Sequence, residues 1–298
     1  VNELPIVVTC TDRKTSSPEP ALRARELPAA DLPERAVEWA RRLRTAQGRQ
    51  VALGELYQGD QWRRAAALTT VASRAGFAPR LYVASAGLGL QPVSSLAPSY
   101  AATFLPRHAD SVASSTSQAP AWWDHLQRLD ATSNLPRIAK AAGQVLVVLS
   151  ETYAQAMHRD LVALAATGVD TVLIGGASDL DGVLRVPANA ALRGALGGTL
   201  TSLNVRTAAT WLEHCTRGRL ITPAAQARWK AWADQVARPE RYARQPMSDQ
   251  SVIDFIKEMK DLHPDYSRTR LLRLLRDQGM ACEQKRFADL YTSTIGPR

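Results

Sequence analysis

The chain has 298 residues, 45% hydrophobic and 22% charged, enough for one large core or a core with a small satellite domain. Its 37 basic and 28 acidic residues give a formal charge of +9, which favours an anionic partner without specifying nucleic acid. No apolar run approaches the roughly 20 residues of a membrane span, and Cys10, Cys215 and Cys282 show no pairing pattern, so a membrane protein and a disulfide scaffold are both excluded and a cytoplasmic location is expected.

Pro5–Cys10 is a short run rich in β-branched residues and reads as a buried strand, entered directly from Val1 with no secretory leader. It delivers Thr11, Asp12, Arg13 and Lys14 to a polar loop. Sites in open α/β sheets lie at the carboxyl ends of strands. Asp12 is therefore a candidate catalytic or ligand-contacting acid, with Arg13 and Lys14 beside it as candidate contacts to an anionic ligand, which the resemblance given below makes DNA. A solvated loop with a surface ion pair is the alternative. Asp31 and Pro33 then start a helix with Val37, Ala40 and Leu43 on one side. Val51–Tyr57 fits strand and helix equally well. Asp60 is the expected cap of the helix Gln61–Gly76.

Leu81–Ala84 reads as a strand that breaks into Ser85, Ala86, Gly87, Leu88 and Gly89. Small residues at a strand end let backbone approach a ligand closely, which makes Ser85, Gly87 and Gly89 candidate ligand-binding positions. A tight turn is the other reading. Tyr100 can stack on a base or cover the sheet edge. Phe104–Ala113 is expected to start a helix, and Pro120–Leu129 to form one. Adjacent Trp122 and Trp123 do not share a helical face, so one is expected to pack and the other to be free for a partner, unless a larger core uses both.

Gln144–Ser150 is the clearest buried strand, and Ser150 can cap the helix running to Leu164 or face a phosphate. Val169–Ile174 is a further strand ending at Gly175 and Gly176, also candidate DNA contacts. Val183–Pro187 reads as a strand and Asn189–Leu196 as helical. Gly197–Asn204 then supplies backbone donors, the hydroxyls of Thr201 and Ser202 and the Asn204 amide, ahead of a helix over Val205–Cys215. Such a loop can clamp a phosphodiester, or it can simply be a capped helix start. Strands alternating with helices predict an α/β fold, a mostly parallel central sheet flanked by helices.

Gly218 marks a change of character, giving an α/β domain over 1–217, a helical connector over 218–247 interrupted at Pro239–Pro246, and a small helical domain over 248–298. Ser248 or Asp249 caps one helix of that domain and Ser267 the next. Leu271, Leu274 and Leu275 join Phe287, Leu290 and Tyr291 in a mini-core. The order resembles helix–turn–helix packing. Arg268, Arg270, Arg273, Arg276, Lys285 and Arg286 can approach a nucleic-acid backbone; packing or dimerisation is the alternative. From Ser248 to Arg298 nine basic residues face eight acidic ones, so local placement matters more than total charge. No zinc spacing, phosphate loop, dinucleotide fingerprint, nucleophile elbow or cysteine–histidine pair is present, and neither metal nor cofactor is expected.

Four stretches, Thr9–Lys14, Ser85–Leu90, Leu149–Tyr153 and Gly197–Asn204, resemble loops of the uracil-DNA-glycosylase-like superfamily. More narrowly, they are similar to those of bacterial antiphage DNA glycosylases that remove glucosylated hydroxymethyl bases. The resemblance covers about residues 5–217. It implies hydrolysis of an N-glycosidic bond in double-stranded phage DNA by a monomer, leaving an abasic site. It places Asp12 beside the sugar and attacking water, and Thr201, Ser202 and Asn204 at the loop that meets DNA and the departing base. Ser85, Gly87 and Gly89 would give room to an enlarged, everted base, with Tyr100 as a wall and Ser150 nearby. Classical members pair the aspartate with a histidine in the later loop, where this chain has Ser202 and Asn204. A nucleic-acid-binding module without turnover, a tRNA base-exchange enzyme and an enzyme of free nucleotides are the competing readings.

Overall fold

The computed structural model describes residues 2–129, 133–238 and 245–296, which fall into two compact units, Val1–Arg238 and Pro239–Arg298. In the first, the β-branched run forms β1 (Glu3–Thr9), buried along all but its first residue, as a strand covered on both faces must be. The Asp31 carboxylate accepts from the Glu34 amide and starts α1 (Leu32–Thr45). The ambiguous stretch splits into β2 (Val51–Ala52) and one helical turn, α2 (Leu53–Leu56). Asp60 does not cap α3 (Asp60–Arg74): Gly59 holds that position at φ 102°, and the Asp60 carboxylate takes a hydrogen bond from Arg206 at 3.1 Å instead.

β3 (Ala78–Ser85) pairs parallel with β1 and turns straight back into β4 (Gly89–Pro92), antiparallel, with Ser85 opposite Gly89. The stretch around Gly87 is thus a hairpin turn. β5 (Leu96–Ala97) pairs with β2. The helix expected to start within Phe104–Ala113 does not form. Pro106 and the left-handed Arg107 (φ 63°) interrupt it, and Thr103 bridges to Ser111. In α4 (Ala119–Leu129) Trp122 and Trp123 are both fully buried, because the helix is covered on two sides. The Trp122 indole donates to the Ala86 carbonyl at 2.8 Å, and that of Trp123 to Asp160 at 2.7 Å. Of the two readings of this pair, the larger core that uses both tryptophans is the one formed, and neither is free for a partner.

Asn134 caps α5 (Leu135–Ala142), which ends at left-handed Gly143 and leads into β6 (Gln144–Leu149), buried throughout. The helical run expected as far as Leu164 is two helices, α6 (Glu151–Ala156) and α7 (His158–Ala165), separated at Met157. β7 (Asp170–Gly175), β8 (Leu184–Val186), α8 (Arg193–Leu196), α9 (Leu203–His214) and α10 (Pro223–Val236) complete the unit. Asn189–Leu196, expected to be helical, holds a 3-10 turn before the short α8. Trp229 of α10 packs against Trp211 of α9 with ring centroids 5.9 Å apart.

The strands lie in the order β4-β3-β1-β6-β7-β8. All neighbouring pairs are parallel except β3 with β4. This is an α/β fold with a mixed, mostly parallel sheet flanked by helices, as the strand–helix alternation predicts. The chain passes from β1 to β3 on one side and returns to β6 on the other. The direction of winding reverses at β1, and ligands of open sheets bind in the crevice at that reversal.

The second unit contains β9 (Gln245–Pro246), α11 (Asp249–Leu262), α12 (Arg268–Asp277), β10 (Met280–Ala281) and α13 (Gln284–Ile295), with β9 and β10 parallel. Ser248 and Ser267 cap α11 and α12. Val252, Ile256, Leu271, Leu275 and Phe287 have no exposed surface and form its core. The linker expected at Pro239–Pro246 lies largely outside the described residues. Among the described residues no helix is long and apolar enough to cross a membrane.

Candidate functional site

The loop that follows β1 is held by its main chain. The Cys10 amide donates to the Ala84 carbonyl at 3.0 Å, Thr15 to Leu56 at 2.9 Å, and Gln58 to Arg13 at 2.9 Å. The Thr11 hydroxyl lies 3.1 Å from the carbonyls of both Arg13 and Gln58. Fixing the backbone on two sides gives Asp12 and Lys14 set positions although the loop is polar. Both face a cavity of about 460 Å³, whose walls also include Arg23, Arg25, Tyr100, His108 and Asp110. Among the described residues no group of three or more His, Cys, Asp or Glu side chains is arranged to hold a metal ion.

Asp110 is buried and takes the Arg25 guanidinium on both oxygens, with Nε at 2.8 Å from Oδ1. The Arg25 pair holds its carboxyl below the usual carboxylate range. The folded-state pKa is therefore lower than the unfolded one. The stabilisation is present above the unfolded value and is lost as pH falls through the folded one. Asp110→Asn is expected to flatten the acid side of the stability curve below about pH 4, read from denaturation midpoints across pH; a curve as steep as wild type would contradict this.

The Lys14 Nζ sits 4.4 Å from the Tyr100 ring centroid and 5.7 Å from that of Tyr57, and donates to the Asp12 carbonyl at 3.2 Å. Burial lowers its pKa from the ordinary lysine value, opposed by Cys10, Asp12 and Asp110. Behind it, the Tyr57 and Tyr100 hydroxyls lie 2.6 Å apart, and that of Tyr100 is 2.5 Å from Ser85 Oγ. Ser85 in turn accepts the amides of Gly87 and Leu88 at 3.0 and 3.2 Å. The Tyr153 hydroxyl accepts the Ala86 amide at 3.1 Å and lies 3.1 Å from Cys10 Sγ. Trp39 donates to the Gly87 carbonyl at 2.7 Å. The hairpin turn is thus satisfied from within, as buried polar backbone must be. Burial raises the pKa of all three tyrosines and keeps them neutral.

Asp12, Lys14 and Tyr100 therefore meet in one cavity, with Ser85 one hydrogen bond behind. Gly87 leaves no room for a base: a Cβ there would lie 2.5 Å from Tyr100 Cε2, so the ring already fills that space. Tyr100 has no exposed surface, and Lys14 covers its ring. Gly89 belongs to the hairpin, and Arg13 is exposed on the loop. The remaining candidates gather elsewhere on the carboxyl edge, around the ends of β6 and β7. Ser150 caps α6 by accepting the Tyr153 amide. The Asn204 amide donates to the Leu149 carbonyl at 2.9 Å. Gly175, at φ 86°, lies so close to that carbonyl and to Asn204 that a side chain would collide with both, and the Gly176 amide donates to Leu149 at 3.1 Å. Ser202 is buried and accepts from Arg206 at 3.1 Å, while Thr201 is exposed. None of these six lines the Asp12 cavity.

In the second unit Arg268, Arg270, Arg273 and Lys285 are exposed, with Arg270 3.8 Å over the Tyr266 ring. Arg286 is committed to structure, pairing with Asp249 and donating to the Met247 carbonyl at 2.8 Å. Arg23, Arg25, Tyr57, His108 and Asp110 escaped the sequence reading. All lie in irregular segments, 3-10 turns or isolated bridges, where no periodicity marks them. No family model matches the chain, and neither a curated protein nor a solved structure matches it.

Proposed function

We propose that the chain is a DNA glycosylase, hydrolysing the N-glycosidic bond of a modified base and leaving an abasic site. The observation that carries this reading is the cavity at the strand-order reversal, which holds the Asp12 carboxylate together with Lys14, Arg23 and Arg25. Its volume of about 460 Å³ lies within the range of small-ligand pockets, about 300–1,000 Å³. Cleavage of the C1′–N bond develops positive charge on the sugar and negative charge on the base. Asp12 orients water and stabilises the sugar cation; the basic side chains answer the leaving base and the flanking phosphates. Because the bond is inaccessible inside a duplex, the nucleotide must be everted to reach the cavity.

This reading departs from the resemblance at the Ser85–Gly89 turn and at the Thr201–Asn204 loop, neither of which lines the cavity. The Asn204 amide is spent on Leu149, so Lys14 takes the part that Asn204 was expected to play at the leaving group. The choice of a glucosylated hydroxymethyl base in phage DNA rests on the four resembling stretches alone. The exposed arginines of α12 supply duplex affinity in a helix–turn–helix-like manner. Replacing Arg268, Arg270 and Arg273 with glutamine is expected to reduce the slope of log affinity against log salt by about 2–3, near 0.9 per lost phosphate contact. An unchanged slope would remove the tail from the interface. The reading as a whole is tested by counting abasic sites in duplexes with defined base modifications. Accumulation on modified duplexes supports it; binding with no abasic product on any of them makes the chain a binding module instead.

A further inference from the structure

We infer that Lys14 is a nucleophile toward the C1′ aldehyde of an abasic sugar, so that the cavity cuts the DNA strand after the base has left; this rests on the excision reading above. Its Nζ lies against the Tyr100 and Tyr57 rings and donates one hydrogen bond, to the Asp12 carbonyl. Among the described residues it forms no ion pair; the charges of Asp12 and Asp110 favour its ammonium but do not outweigh its burial. The cavity wall partly removes this side chain from water, and a desolvated lysine gives up its proton more readily and becomes nucleophilic. Composition points the same way. The chain has only six lysines among its 37 basic residues. Of the three in the first unit, Lys140 and Lys230 are exposed and only Lys14 is part-buried in a cavity. Arginine binds phosphate at least as well but stays protonated, so it cannot attack a carbonyl. This Arg-rich chain places a lysine where a neutral amine has a use.

The step balances without an oxidant or reductant. The neutral Nζ adds to C1′ as the carbonyl π pair moves to oxygen. With one proton from solvent that oxygen leaves as water, and a protonated imine remains. The imine acidifies C2′. Its proton passes to the Asp12 carboxylate on the same cavity wall, the freed pair forms C2′=C3′, and the C3′–O bond breaks to release the downstream strand with a 5′ phosphate. Water hydrolyses the imine and restores the amine.

The test uses the full chain and a duplex with a preformed abasic deoxyribose, which bypasses excision, in the presence of sodium borohydride. A one-to-one protein–DNA adduct is expected, with the reduced linkage mapped by peptide mass to Lys14 in the wild-type protein. Lys14→Arg is expected to lower adduct yield by about 100-fold or more, with its thermal midpoint measured alongside. No wild-type adduct, an adduct on any other amine, or a wild-type yield from a folded Lys14→Arg protein would overturn the inference. Base release without trapping also overturns it and leaves excision standing. Trapping at Lys14 with no base release from any modified duplex supports it and removes the excision reading.

Discussion

Asp12→Asn is expected to reduce base release by about 100- to 1,000-fold, the loss usual for removing one preorganised electrostatic group, with kcat falling more than KM. The substitution keeps the size of the side chain and removes only its charge. The loop around it is fastened by backbone bonds from Cys10 to Ala84, Thr15 to Leu56 and Gln58 to Arg13, and the Asp12 side chain is exposed. Stability is therefore expected to stay within about 0.5 kcal/mol of wild type. Single-turnover kinetics and a thermal midpoint on the same preparation separate the two effects. A correctly folded variant with full turnover would remove Asp12 from the chemistry.

The largest effect on stability is expected at Trp122. Trp122→Ala empties a fully buried indole site, which costs about 3–5 kcal/mol. It also strips the donor from the Ala86 carbonyl, adding about 1–3 kcal/mol if no water replaces it. Against a total stability of about 5–15 kcal/mol this threatens the fold itself. The damage begins in the Ser85–Gly89 turn, which supports Tyr100 and, through it, Lys14. A denaturant titration should show the midpoint fall sharply. A shift worth under about 1 kcal/mol would show that the turn does not depend on the indole.

The sheet was largely legible because β1, β3, β6 and β7 are short, nearly continuous apolar runs, and such runs have few other uses in a chain of this composition. The hairpin was not. A strand that breaks into Ser-Ala-Gly-Leu-Gly looks the same whether it opens a crevice or turns back. What decides is Trp39, Trp122 and Tyr153, which reach that turn from distant parts of the chain. The adjacent tryptophans left two readings open for a related reason: two faces of α4 are covered, so residues that cannot share one face both bury. Within the site, Asp12 and Lys14 were legible as polar residues closing the first strand. Arg25 and Asp110 were not, since their pairing joins two irregular segments whose partners are 85 positions apart. The Asn204 amide was readable as a polar group in a loop, but its engagement with Leu149 depends on α9 crossing the end of β6.

The account is tested most directly by mass analysis of whatever is freed from duplexes carrying cytosine, hydroxymethylcytosine or glucosyl-hydroxymethylcytosine at one defined position. Release of the intact glucosylated base from the third duplex, with one abasic site per base freed, is the predicted result. All three duplexes surviving with every base in place, while the protein still binds them, would contradict it.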